Sequence, residues 1–243
     1  MAELPDFDAV SLDVGGVLVV PDHQMLGDAL AAAGVLHDRD RFFDGHYRAM
    51  AEVDRCRSRP EEFTDYAHGF LRAVGVPDDQ IEAGAATLAS ALALSDAWSQ
   101  PIRGALAAAR RLAAAGLRLA MTSNSDGTVA ERLRHHELAQ VGDGPGLAVE
   151  HITDSGVLGM AKPHPAMFRA TAEALGLAPE RICHVGDSGS YDADGAEDAG
   201  MAAVHVDPLG LCPDGHHHVT SLADFADRVL TGRATEPTGS ASG

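Results

Sequence analysis

Positive charge is scarce in this 243-residue chain: a single lysine, Lys162, and 17 arginines face 36 acidic residues, for a formal net charge of −18. A nucleic-acid binder needs basic clusters that displace counterions. The densest basic run here is only "RCRSR", Arg55 to Arg59, so no nucleic-acid partner is expected. An anionic small molecule is still compatible, because a few local donors outweigh net charge at short range. Cysteine is nearly as scarce. Cys56, Cys183 and Cys212 show no metal or redox spacing and exclude a disulfide framework. The N-terminus "MAELPDFDAV" has neither a basic start nor a long apolar run, so reduced thiols and a cytoplasmic setting are expected. No stretch reaches the ~20 apolar residues that cross a bilayer, so no membrane partner is expected. Aromatics are only 5%, but apolar residues at 45% are ample for a core rich in alanine helices.

One further absence is local. The segment "SLDVGGVLVV", Ser11 to Val20, puts Gly15 two residues after Asp13. A site using Asp13 for phosphate transfer would be expected to carry a second acid there.

What is present alternates. Residues 9–13 read as a short buried strand. From Asp22 to Ser95 the pattern is helical throughout, with a helix start at Pro60, Glu61 and Glu62. From Ser99 onward helices alternate with short apolar strands: Leu117 to Asn124, Leu147 to Ile152, "RICHVGDS", and Ala202 to Val206. That rhythm predicts an α/β fold, a doubly wound, Rossmann-like parallel sheet covered on both faces, with ligands at the carboxyl ends of the strands. The tail "TGRATEPTGSASG" is small and polar and reads as disordered. The boundaries are a core over 1–21 and 96–231, an inserted helical unit over 22–95, and a disordered tail over 232–243.

Polar residues gather at the predicted strand ends: Asp13, then Thr122, Ser123 and Asn124, then Lys162 in "GMAKPHPAMF", then Asp187, Ser188 and Asp192. Singly, each has an ordinary structural reading. Asp13 suits a turn, and Asp187 or Ser123 and Asn124 suit helix caps. Together they supply what phosphoryl transfer needs: a carboxylate nucleophile, carboxylates that a hard cation such as magnesium would bring together, and donors for the phosphoryl oxygens. A lone lysine among arginines marks a place for a compact ammonium. His184, inside an apolar strand, reads as a satisfied core residue, and "GHHHV", Gly215 to Val219, as a solvated loop, with a weak metal site as the alternative.

The motifs "LDVGGVL", "LAMTSNS", "DSGVLGMAKPHPAMF" and "HVGDSGSYDADGAEDAGM", in that order, resemble those of the haloacid dehalogenase-like superfamily, in the branch with a helical cap inserted after the first motif. The resemblance spans residues 8–206. It implies a Mg2+-dependent phosphatase acting on a small soluble phosphomonoester through an aspartyl-phosphate on Asp13. Ser123, Asn124 and Lys162 would bind the phosphoryl group, with Gly16 forming the tight turn beside them. Asp13, the Gly15 backbone carbonyl and Asp187 would ligate magnesium, supported by Asp192. The only partner implied is a small phosphorylated substrate, bound by a monomer or homodimer. Cap residues such as His46, Tyr47, Arg48, Arg55, Arg57, Tyr66 and His68 could read that substrate, although each taken singly reads as part of a solvated helix face.

In phosphatases of this superfamily the residue at position 15 is usually an aspartate that serves as general acid and base. Such catalysis is worth ~10²–10⁴-fold. Three consequences are compatible with Gly15: a substrate with a good leaving group, a stand-in such as Asp22 or His23, or a protein that binds a phosphometabolite without turning it over. Carbon–halogen hydrolysis is a further alternative, disfavoured by Asp187. Schiff-base chemistry on a cap lysine is excluded, because no lysine other than Lys162 exists.

Overall fold

The computed structural model describes residues 4–59, 62–94 and 96–235. The helix start read at Pro60 and Glu61, the Ser95 boundary and the last eight residues lie outside the described residues. In chain order the elements are β1 (Ala9–Leu12), β2 (Val19–Val20), α1 (His23–Ala32), α2 (Phe42–Cys56), α3 (Thr64–Ala73), α4 (Ile81–Leu92), β3 (Gln100–Pro101), α5 (Ala105–Ala114), β4 (Arg118–Ser123), α6 (Val129–His135), β5 (Ala139–Val141), β6 (Leu147–Val149), β7 (His151–Asp154), α7 (Ser155–Leu158), α8 (Pro165–Leu175), β8 (Ile182–Gly186), α9 (Asp194–Asp198), β9 (Ala202–Val206), β10 (His217–Val219) and α10 (Leu222–Thr235). The last helix therefore extends into the segment that composition assigned to the tail.

Six strands form one parallel sheet in the order β10-β9-β8-β1-β4-β7. Side chains alternate across it. Val10, Leu12, Leu119, Met121 and Val185 face α5, α6 and α10, while Ala9, Ala120, Ile182 and Ala203 face α8 and α9. Helices on both faces give the doubly wound arrangement expected. The predicted strand over Leu147 to Ile152 is in fact two. β6 pairs with β5 in a separate two-stranded sheet, and only β7 joins the main sheet. Glu150 lies between them, its N–H donating to the Leu119 carbonyl and its carboxylate held by Arg118. A continuous apolar pattern cannot show such a change of partner.

Between β2 and β3 every described secondary-structure element is helical. Their core is separate from the sheet's, with Phe42, Phe70, Leu71 and Leu88 at its centre. Asp22 opens the block by accepting the Met25 N–H at 2.7 Å, the usual job of an acid at a helix N-terminus.

This block is fastened to the sheet by Asp54, at the end of α2. Its carboxylate accepts the Ser188 and Ser190 hydroxyls, both at 2.6 Å, and the N–H groups of Gly189 (2.8 Å) and Ser190 (3.0 Å). Removing it takes the acceptor from two backbone donors and two hydroxyls in a partly buried contact. Unsatisfied groups of this kind cost about 1–3 kcal/mol. Asp54→Ala should lower unfolding stability by about that amount in a urea titration, and Asp54→Asn, which keeps an acceptor, by less.

Candidate active site

The register of the parallel sheet brings the predicted residues together. Leu12 is level with Met121 on one side and Val185 on the other, so Asp13, Ser123 and Asp187 all emerge at the same carboxyl edge. They line one cavity of about 490 Å³, along with Gly15, Asn124, Lys162 and Asp192. A carboxylate oxygen from each of Asp13, Asp187 and Asp192 lies within 4.8 Å of the others, and all three side chains are buried.

Lys162 is 2% exposed and sits among them, its Nζ 2.8 Å from Asp13 Oδ1 and 2.6 Å from Asp192 Oδ1. Burial opposes the ammonium charge, but the two carboxylates outweigh it and hold Lys162 protonated beyond its ordinary range. Asp192 shows the converse. Burial favours its neutral form, yet Lys162 and His184 keep its carboxyl well below the usual range. Asp13 goes the other way. Burial pushes its carboxyl above the usual range, Asp192 and Asp187 add to this, and Lys162 only partly offsets it. Three carboxylates thus share one ammonium.

Two supports fix the lysine and its acid. The Asn124 amide is committed at both ends to the Lys162 main chain: Oδ1 accepts its N–H at 2.7 Å and Nδ2 donates to its carbonyl at 3.1 Å. The Asn124 side chain thus holds Lys162 in place while the residue still lines the cavity beside Ser123. Beneath the site, His184 Nε2 pairs with Asp192 at 3.0 Å and His184 Nδ1 with Ser11 at 3.0 Å. The chain continues to Thr122, Thr171 and Thr153. His184 is the satisfied core residue the sequence suggested.

Gly16 has a left-handed φ of +63°, and a Cβ there would overlap the Asp187 carboxylate. Only glycine satisfies both conditions. Its carbonyl accepts the Tyr47 hydroxyl at 2.8 Å.

The helical block contributes what sequence reading put on solvated faces. His46 is 1% exposed, and its Nε2 lies 2.8 Å from Asp187 Oδ2. Its Nδ1 is 3.0 Å from the Tyr66 hydroxyl. Burial, reinforced by Asp187, keeps the Tyr66 phenol protonated. His46 thus bridges the Tyr66 hydroxyl and the Asp187 carboxylate through its two ring nitrogens. His46 falls on the buried stripe of Phe42, Ala49 and Val53 along α2, a helical spacing that could have revealed it. Tyr47 and Tyr66 are likewise buried, whereas Arg48, Arg55 and Arg57 are exposed as expected. Arg57 pairs with Asp194 at 2.9 Å. Neither Asp22 nor His23 lines the cavity: Asp22 caps α1, and the His23 ring pairs with Gln100.

Next to Gly15 stands an indole. A Cβ on Gly15 would lie 3.2 Å from Trp98 Cζ3 and 3.5 Å from Cε3. Trp98 packs edge-on against His46 and tilted against Tyr66.

The donor set suits a hard cation. The hydrogen bonds engage Asp13 Oδ1 and Asp187 Oδ2 and leave one oxygen of each carboxylate over. Negative charge exceeds positive, and all donors are oxygens.

The chain matches the family model for haloacid dehalogenase-like hydrolases over residues 7–200. A phosphoserine phosphatase of Thermus thermophilus is 39% identical over 109 residues, which is 45% of this chain, and the chain spans 40% of that relative's length. Two solved structures share the fold. A hydrolase of the same family from Deinococcus radiodurans, with bound phosphate and sodium, has 25% identity and a TM-score of 0.59 over 97% of this chain and 100% of its own. A dehalogenase with an intermediate complex has 19% identity and a TM-score of 0.61 over 93% and 98%.

The Gly15 backbone is not left-handed, so the barrier to a larger residue there is Trp98 alone. Gly15→Ala should cost about 1–3 kcal/mol through overpacking. In a Trp98→Ala background that cost should nearly vanish, as a double-mutant cycle of urea unfolding would show.

Proposed function

The chain belongs to the haloacid dehalogenase-like hydrolase family, and on that premise we propose that it is a magnesium-dependent phosphatase acting on a small soluble phosphomonoester. The observation that carries this reading is the charge of the site: three buried carboxylates against one ammonium. That excess calls for a divalent cation and, beside it, suits a phosphoryl group whose oxygens need donors. The phosphatase relative and the phosphate bound to the Deinococcus structure support the same reading.

In this proposal an Asp13 carboxylate oxygen attacks phosphorus, the P–O bond to the leaving group breaks, the leaving group departs as its anion, and an aspartyl-phosphate forms. Ser123 and Lys162 donate to the phosphoryl oxygens as charge spreads over them. Water then attacks phosphorus, the P–O bond to the Asp13 carboxylate breaks, and inorganic phosphate leaves carrying the water protons. Asp13, Asp187 and the Gly15 carbonyl would hold Mg2+, which when bound would neutralise phosphoryl charge. Asp192 anchors Lys162, Asn124 positions it, and His46 holds the Asp187 carboxylate in its rotamer. The helical block acts as a cap over the cavity.

With indole carbon where a second acid would stand, leaving-group protonation is weak. The substrate class favoured is therefore one whose leaving group needs little help, such as an acyl or anomeric phosphate. The likeness to a dehalogenase is one of fold and does not redirect this reading.

Phosphate release from a panel of phosphorylated metabolites should require Mg2+ and fall at least about 10³-fold in Asp13→Asn, as expected when a nucleophile is removed. Acyl phosphates should outpace alkyl phosphates of similar size by up to about 10²–10⁴-fold, the worth of the missing acid. Phosphate release no faster than that of Asp13→Asn, or halide release from haloacids in the presence of a chelator, would overturn the proposal.

A further inference from the structure

Behind the acidic cluster lies a second group of ligating side chains that the proposed chemistry does not use. His205, Cys212, His216 and His218 each bring one ligand atom to within 4.8 Å of the other three. They come from β9, the following loop and β10, so the fold rather than local sequence assembles them. The parallel register puts His218 directly beside His205. The intervening loop is turned back by Asp207, whose carboxylate accepts the N–H groups of Leu211 (3.0 Å) and Cys212 (2.9 Å). Cys212 Sγ then comes 3.8 Å from His216 Nδ1. His205 is buried, and His216 and His218 are half-buried rather than solvated.

Two observations point to a ligand. First, His205 is 5% exposed, and its buried Nδ1 has no hydrogen-bond partner; neither does the buried His218 Nε2. Buried polar atoms are normally paired, and two orphaned ring nitrogens in one cluster need a common partner. Second, on His205 and His216 the other ring nitrogen is tied down, as in ligating histidines. His205 Nε2 lies 3.1 Å from the Asp187 carbonyl, and His216 Nε2 lies 3.2 Å from an Asp194 carboxylate oxygen. Those bonds turn each Nδ1 towards the cluster. His205 and Cys212 also border a cavity that would give an ion a way in.

We propose that His205, Cys212, His216 and His218 bind a zinc-class divalent ion in a four-coordinate site of three imidazoles and one thiolate. Soft sulfur and imidazole nitrogens select such an ion over magnesium, and four protein ligands close the site against catalysis. The site is distinct from the carboxylate cluster and different in chemistry. Its role is structural: it staples the short edge strand β10 and the 207–216 loop to β9, directly behind the loop that carries Asp187. Asp194 extends the connection, because it also pairs with Arg57 of the helical block.

The test is a Zn2+ titration of the reduced, chelator-treated full chain, with millimolar Mg2+ present to occupy the acidic cluster. One equivalent should bind tightly. Cys212→Ser and His218→Gln should each weaken it by on the order of 100-fold or more, since even the loss of a supporting contact typically costs 10–100-fold. Co2+ in wild type should show the intense visible bands of four-coordination and a thiolate charge-transfer band, the latter absent in Cys212→Ser. This spectrum tests the site even where a variant folds poorly. Absence of a tight equivalent, a six-coordinate Co2+ spectrum, or binding that survives both substitutions but is lost in Asp187→Asn would overturn the proposal.

Discussion

The ammonium of Lys162, buried between Asp13 and Asp192, is the interaction on which the rest of the site depends. Breaking a buried ion pair typically costs about 3–5 kcal/mol, because the remaining charge is left without a partner. Here the lysine serves two carboxylates while a third stands nearby, so its position must be held closely. The surroundings are arranged to do this. Asn124 grips the Lys162 backbone from both sides, His184 steadies Asp192 from below, and Asp192 in turn fixes Nζ. A guanidinium would be too broad for this slot, which accounts for the one lysine in a chain that otherwise uses arginine.

The helical block completes the site rather than merely covering it. Through α2 and α3 it delivers Tyr47 to the Gly16 carbonyl, a Tyr66–His46 relay to Asp187, and Asp54 to the Ser188–Ser190 backbone. These are polar contacts between two separate apolar cores. Polar attachments of this kind specify one docked geometry while remaining open to competition from water. Trp98, at the return from the block, closes the side of the site next to Gly15. The glycine is therefore part of a packing arrangement and cannot be read as a simple deletion of an acid.

Legibility in the sequence followed the range of the interactions. The alternation of strands and helices was readable because side-chain period is local, and the chemistry at the ends of β1, β4 and β8 was readable because strand ends carry polar residues in a parallel sheet. Lys162 was conspicuous by composition. The split of β6 from β7 was not, since sheet membership depends on partners distant in the chain. The same holds for His46, which meets Asp187 across 141 residues, and for Asp54, which meets Ser188 across 134. The helical stripe marked His46 as buried, but no local pattern named what it would touch. In the His and Cys cluster only the "GHHHV" histidines were legible, as a weak metal site at most; His205 and Cys212 join them only once β9 and β10 are set side by side.

The central claim is that Asp13 carries the phosphoryl group. Its most direct measurement is chemical trapping: the protein is quenched during turnover of an acyl phosphate, reduced with borohydride, digested and sequenced by mass spectrometry. An acyl phosphate on Asp13 would be reduced to homoserine at that position alone, in the peptide containing "SLDVGGVLVV". Turnover with Asp13 unmodified, or with reduction at another acid, would contradict the account.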